Sequence, residues 1–343
     1  KIASTFGLEY NFWNNFKAET RFQFNYAEVE GKFFSPEVFY GSGKVFNVDR
    51  NSLTETKNIF RDYTWDSFLN YENTFGEDHN FKALIGMSVR KEWGDFSSNT
   101  GFELPSNSYD DASLDQATEL RNDLEVLPTT FDARLLSYFT RIQYDYKGKY
   151  LLSASVRRDG SSKFGPENRF GYFPSVSAGW ILTDEDFIGS GDTVNFFKLR
   201  GSWGIIGNDR INNYQFVSLL DGEAAYVLNG VLLRGEEAVA IGALSNPEIR
   251  WEKQNTLDIG FDARMINNKV DITFDYFKRK TEDLLLIAQV SGVLGVGAPG
   301  SSPPTVNAGV VENKGFEFRI AYNDRLSENF SFNISYNLTA LQN

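Results

Sequence analysis

Residues Thr256–Tyr276 read TLDIGFDARMINNKVDITFDY. Leu257, Ile259, Phe261 and Ala263 alternate with Thr256, Asp258, Gly260 and Asp262, and after Ile266-Asn267-Asn268 the pattern resumes at Val270, Ile272, Phe274 and Tyr276. Successive side chains of a β-strand point to opposite faces, so this alternation specifies one apolar and one polar face. Asn-Asn readily takes the positive φ that a tight hairpin needs. The stretch therefore reads as an antiparallel β-hairpin.

The same period recurs on both sides of it. Phe22, Phe24 and Tyr26 alternate with polar neighbours, as do Phe81, Ala83, Ile85, Met87 and Val89, with Leu84 the exception. Leu136, Tyr138, Ile142, Tyr144 and Tyr146 lead through Lys147-Gly148-Lys149 into Tyr150, Leu152, Ala154 and Val156. A last hairpin sets Phe316, Phe318, Ile320 and Tyr322 beside Phe330, Phe332, Ile334, Tyr336 and Leu338. This gives about twelve strands of roughly ten or more residues, the length a tilted strand needs to cross a bilayer. Short turns near 14, 76, 148, 266 and 326 alternate with long connections at about 29–57, 93–133, 207–248 and 287–308, as periplasmic turns and extracellular loops do in outer-membrane barrels. A soluble sandwich, with strands nearer five or six residues, has no need of such lengths. The expected fold is all-β: an antiparallel transmembrane β-barrel, with residues 1–343 part of one barrel domain.

Composition agrees. Aromatics make up 15% of the 343 residues, with 31 Phe and 16 Tyr, yet hydrophobic residues total only 41% and mean hydropathy is −0.37. No apolar run approaches the roughly 18 residues of a spanning helix. The absence of cysteine excludes disulfides, thiolate metal sites and Cys nucleophiles. A net charge of −12 offers no basic surplus for a nucleic-acid backbone. The opening KIASTFGLEYNFW starts in an alternating pattern without signal-peptide features, and NISYNLTALQN ends in one, so both ends read as cuts through a longer protein.

Residues Tyr150–Phe187, YLLSASVRRDGSSKFGPENRFGYFPSVSAGWILTDEDF, strongly resemble the SusC/RagA-like family of TonB-dependent outer-membrane transporters. LRGSWGIIGND (Leu199–Asp209), NPEIRWEKQNTLDIGFD (Asn246–Asp262), NNKVDITFDYFKRKTEDLL (Asn267–Leu285) and NAGVVENKGFEFRI (Asn307–Ile320) are similar to further blocks of that family in the same order. The resemblance covers roughly residues 135–343. It implies a full barrel of about twenty-two strands around an N-terminal plug, so that this chain holds about twelve of them and no plug. It also implies a SusD-like lipoprotein over the extracellular mouth, and glycans or peptides drawn inward when the TonB complex pulls on an N-terminal segment that this sequence lacks. Within the blocks, Arg157-Arg158-Asp159-Gly160 reads as a charged turn ending a strand, and Lys314-Gly315 as a tight bend entering one.

Candidate chemistry is sparse. His79, the one histidine, lies beside Glu77 and Asp78 in an expected short turn, the wrong rim for a barrel hydrolase that needs a Ser–His pair. Gly295, Gly297 and Gly300 spell GxGxxG, but Pro299, Pro303 and Pro304 forbid the helix a dinucleotide site requires. Asp110, Asp111, Asp115, Glu119 and Asp123 in the longest loop offer hard oxygen ligands without EF-hand spacing, and a solvated charged loop is the plainer reading. Tyr109 and Tyr226 have the chemistry to stack on sugars or to pack on a partner. Thr183-Asp184-Glu185-Asp186-Phe187 reads as a helical turn at the rim, N-capped by Thr183.

Arg141, Asp145, Arg157, Arg200, Asp258, Asp262 and Arg319 carry the polar parity and are expected to face the lumen, lining a passage, anchoring a plug or simply forming wall. No catalytic residue, cofactor or metal is assigned, and an enzyme is not expected. The function these features indicate is an outer-membrane importer, in contact with lipid, a SusD-like lipoprotein, the TonB complex and an oligosaccharide or peptide. The rival is a barrel recruited as a scaffold in a surface or secretion assembly.

Overall fold

A computed structural model describes all residues except 123–129, 190, 192, 219–221, 224–225, 234–238, 241–243, 292 and 294–302. Gly295, Gly297, Gly300 and Asp123 therefore lie outside the described residues.

Twelve long strands follow one another in an antiparallel sheet: β1 (Ile2–Phe12), β2 (Phe16–Ser35), β3 (Ser52–Phe75), β4 (His79–Phe102), β5 (Thr130–Tyr146), β6 (Tyr150–Ser161), β7 (Phe170–Ile181), β8 (Val194–Asn208), β9 (Glu252–Met265), β10 (Val270–Glu282), β11 (Val310–Ser327) and β12 (Phe330–Gln342). Each pairs with the next in chain order, and the short strand Glu119–Asn122 pairs with β4. Uninterrupted up-and-down order is the connectivity of a barrel wall.

The Thr256–Tyr276 hairpin is β9–β10. Met265 pairs with Val270 and Phe261 with Phe274, whose rings stack 5.8 Å apart. Ile266, Asn267 and Asn268 turn it with φ of 55°, 53° and 60°. Lys147 and Gly148 do the same between β5 and β6, with φ of 57° and 67°.

Cross-strand registry converts the alternation into rows. Phe75, His79, Tyr146, Tyr150, Trp180, Leu199, Phe261, Phe274, Phe318 and Leu338 pair successively from β3 to β12. Beside the short turns Phe75, His79, Tyr146, Tyr150 and Trp180 supply the aromatic girdle expected of a barrel at a membrane interface, and because the strands tilt the row then climbs into the apolar band towards Phe318 and Leu338. His79 is thus the first residue of β4, just past the turn and exposed, its ring 4.7 Å from Tyr146 and its Nδ1 2.7 Å from the Tyr144 hydroxyl.

Four expectations need correction. β2, β3 and β4 run far into the segments expected to be loops, leaving only 36–51 between β2 and β3. Arg157, Arg158, Asp159 and Gly160 remain inside β6, which continues to Ser161. Lys314 and Gly315 lie within β11, paired with Lys278 and Phe277 on one side, so no bend occurs there. A side chain at Gly315 would press on the Phe277 ring and the Ala340 carbonyl, so close passage explains that glycine. Thr183 does not cap: the short 3-10 turn Leu182–Asp184 has no side-chain cap, and buried Thr183 accepts the Phe197 N–H at 3.2 Å.

Burial is concentrated beside the long connections. Phe164, Phe173, Ile249 and Trp251 form one cluster, with Trp251 donating its indole N–H to the Arg169 carbonyl at 3.1 Å. Leu53, Leu104 and Ala112 form another, where buried Asn51 ties down the Leu104 backbone in both directions.

Candidate functional site

The polar face of the sheet carries the charges. Arg200 on β8 stands opposite Gly260 on β9, and Gly260 opposite Asp275 on β10. Glycine leaves the guanidinium room to reach two strands away: Nη2 donates to Asp275 Oδ2 at 2.7 Å, Nε to Asp262 Oδ2 at 3.0 Å, and Nη1 lies 3.6 Å from Asp258 Oδ1. A Cβ at residue 260 would collide with the Asp275 carboxylate. One guanidinium thus joins three carboxylates through charge-assisted contacts, and Lys198 stands in register opposite Asp262 on the same face.

A concavity of about 730 Å³ opens beside this cluster, lined by Lys82, Gln143, Asp145, Lys198, Arg200 and Asp258 among others. Its polar walls suit hydrated or hydrogen-bonding solutes more than apolar ones.

Of the seven residues singled out by parity, the structure brings together Arg200, Asp258 and Asp262. Arg157 pairs instead with Asp159 at 2.7 Å, reaches Ser137 at 2.8 Å and lies over the Phe139 ring. Asp145 accepts the Gly148 N–H at 2.6 Å and so fastens the β5–β6 turn. Arg141 sits opposite Leu84 and Ser155, bordering a second concavity of about 660 Å³ with Lys17, Glu72 and Lys82. Arg319 stands opposite Thr273 and Asn337. Asp275, the best-bonded carboxylate of the cluster, was not among the seven. Its signal was present, since it shares the parity of Asp271 and Thr273 in DITFDY.

Among the described residues, no group of three or more His, Cys, Asp or Glu is arranged to hold a metal ion. The acidic loop residues are engaged singly: Glu119 pairs with Arg50 at 2.6 Å and Ser106 donates to Asp111 at 3.3 Å. Asp115 takes the Ser113 hydroxyl, which holds its pKa below the usual value. Tyr109 has the Lys32 ammonium over its ring at 5.0 Å. On the opposite rim Glu185 accepts from the Tyr150 hydroxyl at 2.6 Å and from the Trp180 indole at 3.0 Å, and these donors hold its carboxyl below the ordinary range.

The geometry is that of a barrel wall with one charged face, and comparison places it. The family described as TonB dependent receptor-like, beta-barrel, matches residues 2–343. The chain belongs to that family. It is therefore part of an outer-membrane β-barrel receptor of the SusC/RagA-like kind, in a family of receptors and not of enzymes. A TonB-dependent receptor of Formosa agariphila is 32% identical over 328 residues, covering 93% of this chain and 29% of that protein. SusC, a TonB-dependent receptor of Bacteroides thetaiotaomicron, is 32% identical over 211 residues, 60% of this chain and 20% of its own length. The chain thus spans less than a third of these relatives. In shape it agrees with the RagAB peptide importer at a TM-score of 0.78 and 20% identity, over 99% of this chain and 36% of that one. The ferripyoverdine receptor of Pseudomonas aeruginosa agrees less closely, at 0.51 and 12% identity, over 99% and 40%.

Proposed function

We propose that the protein to which this chain belongs is a TonB-dependent importer of glycans or peptides, working with a SusD-like surface lipoprotein. The observation that carries the proposal is the 32% identity to SusC, with the fold shared with a peptide importer in support. On this reading residues 1–343 are part of one barrel domain and the polar face lines its lumen. Arg200, Asp258, Asp262 and Asp275 then present a fixed, charged and hydrogen-bonding station on that wall, able to hold a polar group of a plug or to order water along the passage. Arg141 borders a neighbouring concavity in which Lys82 pairs with Glu72 and Lys17 with Glu9. Transport work comes from the TonB complex, and this wall makes and breaks no covalent bond.

The test is purification of the full-length protein in mild detergent with mass spectrometry of what accompanies it. A stoichiometric SusD-like lipoprotein with a bound oligosaccharide or peptide is the expected result. Secretion or motility subunits in its place, with no lipoprotein and no ligand, would overturn the importer and favour a scaffold.

A further inference from the structure

Arg158 breaks the rule that governs its face. It pairs in register with Tyr138 and Tyr172 and shares the parity of Ala154 and Val156, so it projects outward with the apolar row rather than inward with Arg157. An arginine on the lipid face costs about 2–4 kcal/mol at the bilayer midplane and about 0–1 kcal/mol near an interface. Tyr150, at the other end of β6, belongs to the aromatic row. Eight residues of strand, rising about 3.3 Å each and tilted by about 40°, lift Arg158 roughly 20 Å above it, close to the upper edge of an apolar band about 25 Å tall.

Its surroundings are those of a receptor for an anion. The guanidinium carbon lies 3.9 Å from the centre of the Phe170 ring and 5.7 Å from that of Tyr172, which fixes the group against the barrel surface. Its Nε is buried with no hydrogen-bond partner, and no carboxylate among the described residues pairs with it. Farther along the same face Arg134 pairs in register with Lys91, and both bind the single carboxylate of Asp132, at 2.8 Å and 3.1 Å. Three cations against one carboxylate leave this patch positive on a chain whose net charge is −12.

We propose that Arg158, with Arg134 and Lys91 above it, binds the phosphate of a phosphorylated glycolipid in the outer leaflet. Arginine offers a phosphate paired N–H donors, and the two terminal nitrogens of Arg158, which are not among its buried atoms and which no carboxylate among the described residues engages, are the donors open to a headgroup at this depth. Phe170 and Tyr172 supply the apolar floor on which the sugar and upper acyl chain of such a lipid rest.

The experiment uses the full-length receptor in mild detergent, exchanged with bisphosphorylated lipid A or with its dephosphorylated form and weighed by native mass spectrometry. Retention of the bisphosphorylated lipid is expected to exceed that of the dephosphorylated form by about tenfold, and to fall about tenfold in Arg158→Gln. Arg158→Lys, which keeps the charge and loses the fork, is expected to fall between them. Heat-modifiable migration on gels checks that each variant is folded, and Lys91→Gln, whose side chain is off the Phe170 ring, gives a second, smaller loss if Arg158→Gln does not fold. Equal retention of the two lipids, or undiminished retention by folded Arg158→Gln, overturns the proposal. So does binding of inorganic phosphate alone with no preference for the lipid.

Discussion

At the scale of single residues, the polar face is organised by what glycine leaves out. Arg200 reaches Asp275 because Gly260 stands between them without a side chain. Replacing Arg200 by Met leaves three close carboxylates without their shared cation. The cluster is partly open to water, so the expected loss is about 1–3 kcal/mol, less than for a fully buried pair. Urea unfolding of the reconstituted receptor measures it, and adding Asp275→Asn is expected to recover part of the loss because the two sites couple directly. A second glycine makes the same point in apolar terms. A Cβ at Gly207 would enter the Phe173 ring, which packs on Trp251 at 5.2 Å. Gly207→Ala is expected to cost about 1–3 kcal/mol as overpacking, and Phe173→Leu in the same chain to relieve it.

At the scale of elements, the connection after β10 is tied down by charge. Arg250 donates to Asp283 Oδ1 at 2.7 Å, and that hydrogen bond holds the Asp283 carboxyl below its usual value. Asn307 accepts the Arg250 N–H at 2.8 Å and donates to the Asp283 carbonyl at 2.9 Å, closing the knot. A depressed carboxylate contributes stability that is present above its unfolded pKa and lost as pH falls through the folded value. The protection factors of amides near 283 and 307, taken against the intrinsic exchange rate at each pH, are therefore expected to be high at neutral pH and to fall below about pH 4, while those of Asp283→Asn are lower and independent of pH. The hairpin turns, by contrast, rest on backbone conformation, and their registers follow from Asn267, Asn268 and Gly148 taking positive φ.

At the scale of the molecule, the sheet is longer than the membrane is thick. β3 and β4 run 24 residues each, about twice what a tilted strand needs to cross. Outward partners are apolar through Trp65, Val89 and Leu136, and then become Tyr63, Lys91 and Arg134, followed by Arg61, Trp93 and Asp132. The bilayer ends where this change occurs. Ile142→Arg, on the apolar face and 46% exposed, is expected to cost about 2–4 kcal/mol of stability in lipid. Ser97→Glu, on the same face opposite Lys57 beyond the change, is expected to stay within about 0.5 kcal/mol. Unfolding of both variants in the same vesicles decides whether the boundary lies there.

That boundary also explains how much was legible from the chain alone. Alternation between apolar and polar residues exists because lipid lies on one face and water on the other. Inside the bilayer the pattern held apart from residues such as Leu84 and Arg158, and Leu257–Tyr276 gave strands, turn and faces without further help. Above it both faces are wet, alternation loses its cause, and pairing continues through backbone hydrogen bonds to which side chains are nearly indifferent. The outer ends of β2, β3 and β4, at residues 29–35, 52–57 and 93–102, therefore read as loops although they are strands.

The sequence by itself determined the fold class, the hairpin turns and which side of each strand is polar, because each depends on neighbours within about ten residues. Only the tertiary structure decided which polar residues meet. Arg200 and Asp275 are 75 positions apart, and nothing local to either names the other. Their encounter is fixed by the registers of β8, β9 and β10, which accumulate across the sheet, and by an absent side chain at Gly260. The same accumulation sets Arg158 beside Phe170 and below Arg134, turning a charge that reads as part of a turn into an outward-facing cation at the membrane edge.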